Sequence, residues 1–341
     1  MLFATQHPGQ RRLDFARRPS PARGGWVKRD EAIMGTAIHV ELWCEDLRHG
    51  EAAAMAVMDE MHRIDRTMSP HKPDSELSRI NRAAALQPVP LSDEMFMLVD
   101  RALAWSALTD GAFDISYAAV GQLYDYRAKR RPDTDELARA RALVGWQLLH
   151  LDRDARTLRF GRPGMRIDLG GFAKGHAVDR ATALLRRRGI TSAMVAAGGD
   201  SRVIGSRAGR GEPARPWTVA IRDPRREGEV VAVLPLEDVS VSTSGDYERF
   251  YDDVVDGVTE RVHHLIDPAT GASPHHVHSV TILADDGLTS EALSKAVFVL
   301  GVERGLALVE RMSGTDAVVV DARGVLHASS GLLQGMPQAR Q

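Results

Sequence analysis

The stretch from Met165 to Gly189 leaves the fold least freedom. Met165-Arg-Ile-Asp-Leu169 reads as a short strand, Gly170-Gly171 as a tight turn, and Phe172 to Arg188 as an amphipathic helix whose Ala173, Ala177, Ala181, Leu184 and Leu185 share one face. Arg186, Arg187 and Arg188 fall in the last turn, where cations complement the helix dipole, and Gly189 is a natural stop. A helix with one apolar face and a strand directly before it needs a sheet or another helix to cover that face.

Strands are available on both sides. Ile33 to Trp43 is β-like and runs into a helical pattern with Ala53, Val57, Met61 and Ile64 at helical spacing. Ser92, followed by Asp93 and Glu94, starts a second helix by capping and charge that continues to Leu108, and a third begins near Thr134. After the central helix, strands are predicted at Ala193–Ala197, through Ile204, and at Trp217–Ile221, Val230–Leu236, Val239–Ser244, Arg261–Ile266 and Ser279–Ala284. Helices follow over Thr289–Leu300 and Glu303–Arg311, then a closing hairpin of Ala317–Val320 with Val325–Ala328. Gly, Pro and Asp turns make most pairings antiparallel, so the class is α+β. We expect one domain over residues 30–330 with two intimately packed halves, and a disordered tail at 331–341.

Composition closes several routes. The 341 residues carry a net charge of −2, which gives no overall field for nucleic acid or an acidic membrane surface. Cys44 is alone, so no intrachain disulfide, Cys-based zinc site or iron–sulfur cluster can form. No apolar run approaches the roughly 18 residues of a membrane-spanning helix. Residues 1–29, with seven Arg or Lys against Asp14, read as a disordered basic leader; Arg11-Arg12 lacks the apolar run of an export signal. Read as it stands, the chain is expected to be cytoplasmic, and periplasmic if its true start differs.

A glycine turn opening a helix that begins with Lys174 forms a plausible phosphate cradle, since orphan N–H groups, the dipole and an ammonium meet there. Close packing explains such a turn equally well, and Gly198-Gly199-Asp200 has the same two readings. The histidines at 263–264 and 275–278 lack the spacing of a zinc hydrolase, while Thr243-Ser244-Gly245-Asp246 carries hydroxyls without the pattern of a nucleophile elbow. Glu291 and Lys295 lie four apart on a predicted helix, and Lys295 shares a row with Leu288, Ala292 and Val299. A lysine on such a row either snorkels to water or meets an internal anion.

Together these segments resemble a known family. Met34-Gly35-Thr36, Ser69-Pro-His-Lys-Pro-Asp-Ser75-Glu-Leu-Ser-Arg-Ile-Asn81, Thr109-Asp-Gly-Ala-Phe-Asp114, Asp168-Leu-Gly-Gly-Phe-Ala-Lys174-Gly, Gly198-Gly-Asp200, Thr243-Ser-Gly-Asp246, His264-Leu-Ile-Asp-Pro268 with Gly271, and Phe298-Val-Leu-Gly301 are similar, in order, to motifs of the ApbE family of FAD:protein FMN transferases. The resemblance spans about residues 31 to 325.

It implies an α+β, T-fold-like architecture of mixed, largely antiparallel sheets flanked by helices. The enzyme so implied binds FAD and Mg²⁺, moves FMN to a Thr or Ser hydroxyl of an acceptor protein, an electron-transfer protein by the same resemblance, and releases AMP. The resemblance places Met34, Gly35, Thr36, His71, Ala112, Phe113, Asp114, Lys174, His176, Asp179, His264 and Leu265 at the FAD site, and Thr243, Ser244, Lys174 and His264 at the reacting phosphates, with His264 the first candidate proton acceptor. Its metal ligands are a backbone carbonyl at Ala173 and the side chains at Glu291 and Lys295.

Here the chain departs from the family pattern, which has Asp and Thr at the last two positions and Tyr at His71. Glu can replace Asp as a hard oxygen ligand, but an ammonium cannot coordinate Mg²⁺. Either Lys295 supplies the missing positive charge and transfer persists, or the chain binds FAD with weak or no transfer. A flavin carrier without chemistry and a metal hydrolase using the histidine cluster are the other two readings.

Overall fold

The computed structural model describes residues 24–226, 228–255 and 257–335. Residues 1–23 of the expected leader and 336–341 of the expected tail lie outside the described residues. Residues 25–29 belong to the first strand rather than to a leader: Lys28 reaches Glu41 at 3.4 Å, and Trp26 packs edge-on against Trp43 and Trp217. Residues 331–335 likewise continue a short helix begun at Ser330.

Eight strands make one antiparallel sheet, laid down in chain order: Gly25–Ile33 (β1), Thr36–Cys44 (β2), Ala193–Ala197 (β3), Asp200–Ile204 (β4), Ser240–Gly245 (β5), Val277–Ala284 (β6), Asp316–Asp321 (β7) and Leu326–Ala328 (β8). The α+β class and the antiparallel pairing are as the sequence predicts. The continuous strand expected over Ile33–Trp43 is instead the end of a hairpin. Ile33 pairs with Thr36, and Met34 and Gly35, at φ 55° and 69°, form the two-residue turn whose twist suits the strands. A single glycine in an otherwise alternating run hides that turn.

Helices Leu47–Met68 (α1), Asp93–Leu108 (α2), Ala173–Arg187 (α3) and Gly287–Val309 (α4) supply most of the helical layer. α1 packs on β1 and β2, α3 on β3 and β4, and α4 on β5, β6 and β7, with α3 lying between the other two. The strands present alternate residues to this layer, as Ala193, Val195 and Ala197 do on β3. On the opposite face, the hairpin of Trp217–Arg222 and Val230–Leu236 sets Trp217, Ile221 and Leu234 against Val203, Val241 and Val318. α4 joins the two predicted helices across a break at Gly301, whose φ of 81° only glycine adopts freely.

Two local results position the site. Met165–Leu169 is extended but pairs with no strand; Asn81 stands in for one, donating to the Ile167 carbonyl at 2.9 Å and accepting from its N–H at 2.8 Å. The helices α3 and α4 also cross at backbone contact, since a Cβ on Gly175 would lie 2.1 Å from the Gly287 carbonyl oxygen. Among the described residues no helix is long and apolar enough to cross a membrane.

Candidate active site

The glycine turn before α3, the β3–β4 turn and the second turn of α4 converge on four charged side chains. Lys174 Nζ lies 2.7 Å from Asp200 Oδ2, 3.2 Å from the Gly170 carbonyl oxygen, and donates to Glu291 Oε1. The other Glu291 oxygen accepts from the Gly175 N–H at 2.6 Å. Lys295, one turn further along α4, holds its Nζ 3.6 Å from Glu291 Oε1 and donates to Ser294 Oγ at 3.3 Å. Glu291 is fully buried, whereas the two lysine side chains are 22% and 20% exposed.

Electrostatics follow from this packing. Burial works against the Lys174 charge, but Asp200 and Glu291 outweigh it and hold the ammonium above its ordinary range. Burial also opposes ionisation of Asp200, and Lys174 and Lys295 reverse the balance and keep its carboxyl low. Burial, reinforced by Asp200, pushes Glu291 up, and burial pushes Lys295 down. A proton passing between Glu291 and Lys295 leaves the sum unchanged, so the cluster is neutral in either form.

Hydroxyls tie β5 to α4 beside these charges. Ser242 Oγ meets Ser290 Oγ at 2.8 Å, and Ser244 Oγ meets Ser294 Oγ at 2.8 Å. His264 follows the strand Val258–His263, and its backbone N–H donates to the Arg249 carbonyl at 3.1 Å. Its Nδ1 is buried without a hydrogen-bond partner. Burial first, then Lys295, His263, Arg249 and Lys174, pushes His264 down to about 3, so the imidazole is neutral. Burial raises Asp168 against the pull of the Gly170 amide, His71 and Lys174; the Asp168 carboxylate and then burial hold the Tyr117 phenol well above its usual range. A cleft of about 450 Å³ lined by Met34, Gly35, Thr36, Asp65 and Lys72 opens at the β1–β2 turn, which Arg249 reaches through the Gly35 carbonyl at 3.3 Å.

The sequence matches the ApbE family over residues 34–319. The chain belongs to the ApbE family. An FAD:protein FMN transferase of Treponema pallidum (strain Nichols) is 33% identical over 326 residues, covering 92% of this chain and 89% of that protein. An FAD:protein FMN transferase of Vibrio cholerae serotype O1 is 33% identical over 256 residues, with 73% and 74% coverage. Among solved structures, the ApbE protein of Thermotoga maritima superposes with a TM-score of 0.81 at 31% identity, covering 91% of this chain and 99% of that one. The flavin transferase ApbE of Vibrio cholerae gives 0.78 at 27% identity, with 91% and 99% coverage.

Within this ApbE-family chain the residues singled out by sequence divide into groups. Met34, Gly35 and Thr36 border the cleft, and Thr36 meets the β3–β4 turn, where a Cβ on Gly198 would lie 2.6 Å from its Oγ1. His71 is exposed near Asp168. Lys174, Ser244, Glu291 and Lys295 come together as described, and His264 lies within the electrostatic reach of Lys295 and Lys174. Thr243 faces the other side of β5, where its hydroxyl meets Thr281 Oγ1 at 2.9 Å, because adjacent strand residues alternate. Ala112 is half-buried beside Phe113, whose ring packs 5.4 Å from Phe172, and Asp114 spends both oxygens on the Ser116 and Trp146 amides at 2.8 Å. Ala173 and Leu265 are core residues.

His176 is not brought to the cluster. Two residues on from Lys174, it is turned by about 200° around α3 and lies buried 2.8 Å from Glu94. Asp179 caps α4 by accepting from the Gly287 and Leu288 amides and pairs with Arg202. The sequence assigns no role to Tyr117, Ser290 or Ser294, and brings in Asp168 and Asp200 only as members of motifs. Asp200 had a signal in its position after Gly198-Gly199 at a strand end; the serines had none beyond their spacing of four on α4.

The positions implied for Mg²⁺ do not fit that ion. Both Glu291 oxygens are taken, one by an ammonium and one by an amide, and the second side-chain position is itself an ammonium. Among the described residues no group of three or more His, Cys, Asp or Glu side chains is arranged to hold a metal ion.

Proposed function

We propose that this chain is an FAD:protein FMN transferase, acting on a Thr or Ser hydroxyl of an acceptor protein engaged in electron transfer. The acceptor oxygen attacks the flavin-side phosphorus of FAD, the bond from that phosphorus to the AMP oxygen breaks, and AMP leaves with the displaced oxygen. The hydroxyl proton passes to His264. The observation carrying this reading is an uncharged imidazole whose Nδ1 is buried without a partner and whose protonation the Lys295 and Lys174 charges oppose, in a chain whose relatives are named for this reaction.

A diphosphate entering next to Lys174 and Lys295 cancels much of the field that now opposes protonation of His264. Its pKa then rises from about 3 by the share those two ammoniums hold, burial remaining the larger cause. The cleft at Met34–Thr36 is large enough to take an aromatic ring system. The test is incubation of the full chain with FAD and a peptide carrying the family's Thr/Ser acceptor motif, followed by mass spectrometry for covalent FMN and chromatography for AMP. Both products are expected in equal amounts, and His264→Gln should lower their rate by about 10²-fold or more while FAD binding persists. FAD retained with neither product would replace transfer by simple binding; FMN and AMP without adduct would replace it by hydrolysis.

A further inference from the structure

The N-terminus of α3 has the features of an anion site, yet the anion in it is the protein's own. Glu291 reaches across from α4 and accepts from the Gly175 N–H, while the Ala173 and His176 N–H groups are taken by the Leu169 and Phe172 carbonyls. Lys174 is equally committed. An ammonium has three protons, and Asp200, Glu291 and the Gly170 carbonyl receive them. Lys295 differs: it makes one hydrogen bond of 3.3 Å and one looser ion contact of 3.6 Å, and its side chain borders solvent.

We propose that Lys295 is the cation with which this chain grips the phosphates of its ligand, and that the crossing of α3 and α4 works without a divalent metal. The geometry allows Lys295 to move. When it swings toward a phosphate, Glu291 keeps Lys174 and the Gly175 amide, so no buried carboxylate is abandoned. Admitting Mg²⁺ is a different matter. The ion requires near-octahedral oxygen ligands at about 2.0–2.1 Å, and the sole carboxylate oxygen of the cluster left without a partner is Asp200 Oδ1. Ser294 Oγ already serves Ser244, Lys295 and the Glu291 carbonyl. A diphosphate meets an ammonium with protons to spare, whereas Mg²⁺ is set beside two ammoniums with a single unpartnered carboxylate oxygen. That the anion is the diphosphate of FAD rests on the function proposed above, whereas exclusion of the metal does not.

Two readouts test this. Mn²⁺, a paramagnetic substitute for Mg²⁺, is titrated into the full chain without FAD, and the free ion is followed by electron paramagnetic resonance. The free-ion signal should be undiminished at millimolar metal, and the double variant Glu291→Asp/Lys295→Thr, which removes the ammonium and supplies an oxygen, should bind one Mn²⁺ per chain. FAD affinity, from quenching of flavin fluorescence, should be the same in EDTA and in Mg²⁺, fall about tenfold or more in Lys295→Met, and be largely kept in Lys295→Arg. One-to-one Mn²⁺ binding by the unaltered chain at micromolar metal, or an FAD affinity that collapses in EDTA, overturns the proposal without any variant having to fold. Metal exclusion with no FMN adduct leaves this inference standing and removes the transferase; adduct formed only with Mg²⁺ does the reverse.

Discussion

Lys174 and Lys295 carry the same charge within one cluster, yet their surroundings assign them different work. Lys174 neutralises two buried carboxylates and has nothing left to offer a ligand. Replacing it by Met would strand Asp200 and Glu291 and should cost about 3–5 kcal/mol of stability, seen as a lower urea midpoint. Lys295→Met leaves Lys174 in place and should shift that midpoint far less. His264 and His263 add a pH dependence. Burial pushes them down to about 3 and about 4 from an ordinary 6.5, so both are neutral in the folded chain and take up protons on unfolding. Their stabilising contribution is complete above pH 6.5 and is lost as pH falls through the window down to those folded values. Each accounts for a slope of about 1.4 kcal/mol per pH unit well inside its window. Urea titrations at several pH values between 6.5 and 4 should show that slope reduced by one histidine's share in His264→Gln; an unchanged slope would mean the ring is protonated when folded.

At the scale of elements, the crossing of α3 and α4 decides whether the site exists. Gly175 and Gly287 touch through their backbones, and the same contact aims the Gly175 amide at Glu291. Gly175→Ala should therefore destabilise by about 3 kcal/mol and weaken FAD binding in the protein that remains folded, measured together by urea unfolding and flavin fluorescence. The helices themselves were legible in the sequence. Apolar spacing, the Ser92 cap, the terminal arginines of α3 and the break at Gly301 are local signals, and local physics produces them. What the sequence concealed depends on distance in space. Asn81 serving as a strand neighbour to Ile167, and Glu291 capping a helix that starts at Ala173, are pairings between segments whose separation along the chain says nothing of their approach. The resemblance groups His176 with Lys174 at the FAD site, and the turn of the helix aims the two side chains apart; it groups Thr243 with Ser244 at the phosphates, and the pleat of the strand does the same to those.

The whole molecule is held by one large core running from Ile33 on β1 to Val319 on β7, with contributions from α1, α2, α3 and α4. Such continuity should give one cooperative unfolding transition. Trp26 and Trp43 report from the sheet, Trp217 from the hairpin packed on it and Trp105 from α2, so tryptophan fluorescence and far-ultraviolet circular dichroism should share a midpoint in urea. Two separated midpoints would instead reveal halves that melt independently. The order of strands also bears on how the chain is born. β1 and β2 can close as a hairpin within microseconds of leaving the ribosome, but β3, the neighbour that completes β2, is encoded after residues 45–192. At about 5–20 residues per second those roughly 150 residues take about 7–30 s to make. α1 emerges early enough to shield Ile38, Val40 and Leu42, yet the backbone groups along the open side of β2 wait for the whole interval. During those seconds a neighbouring nascent chain meets an unfinished edge, and a folding chaperone has its earliest reason to attend to this protein.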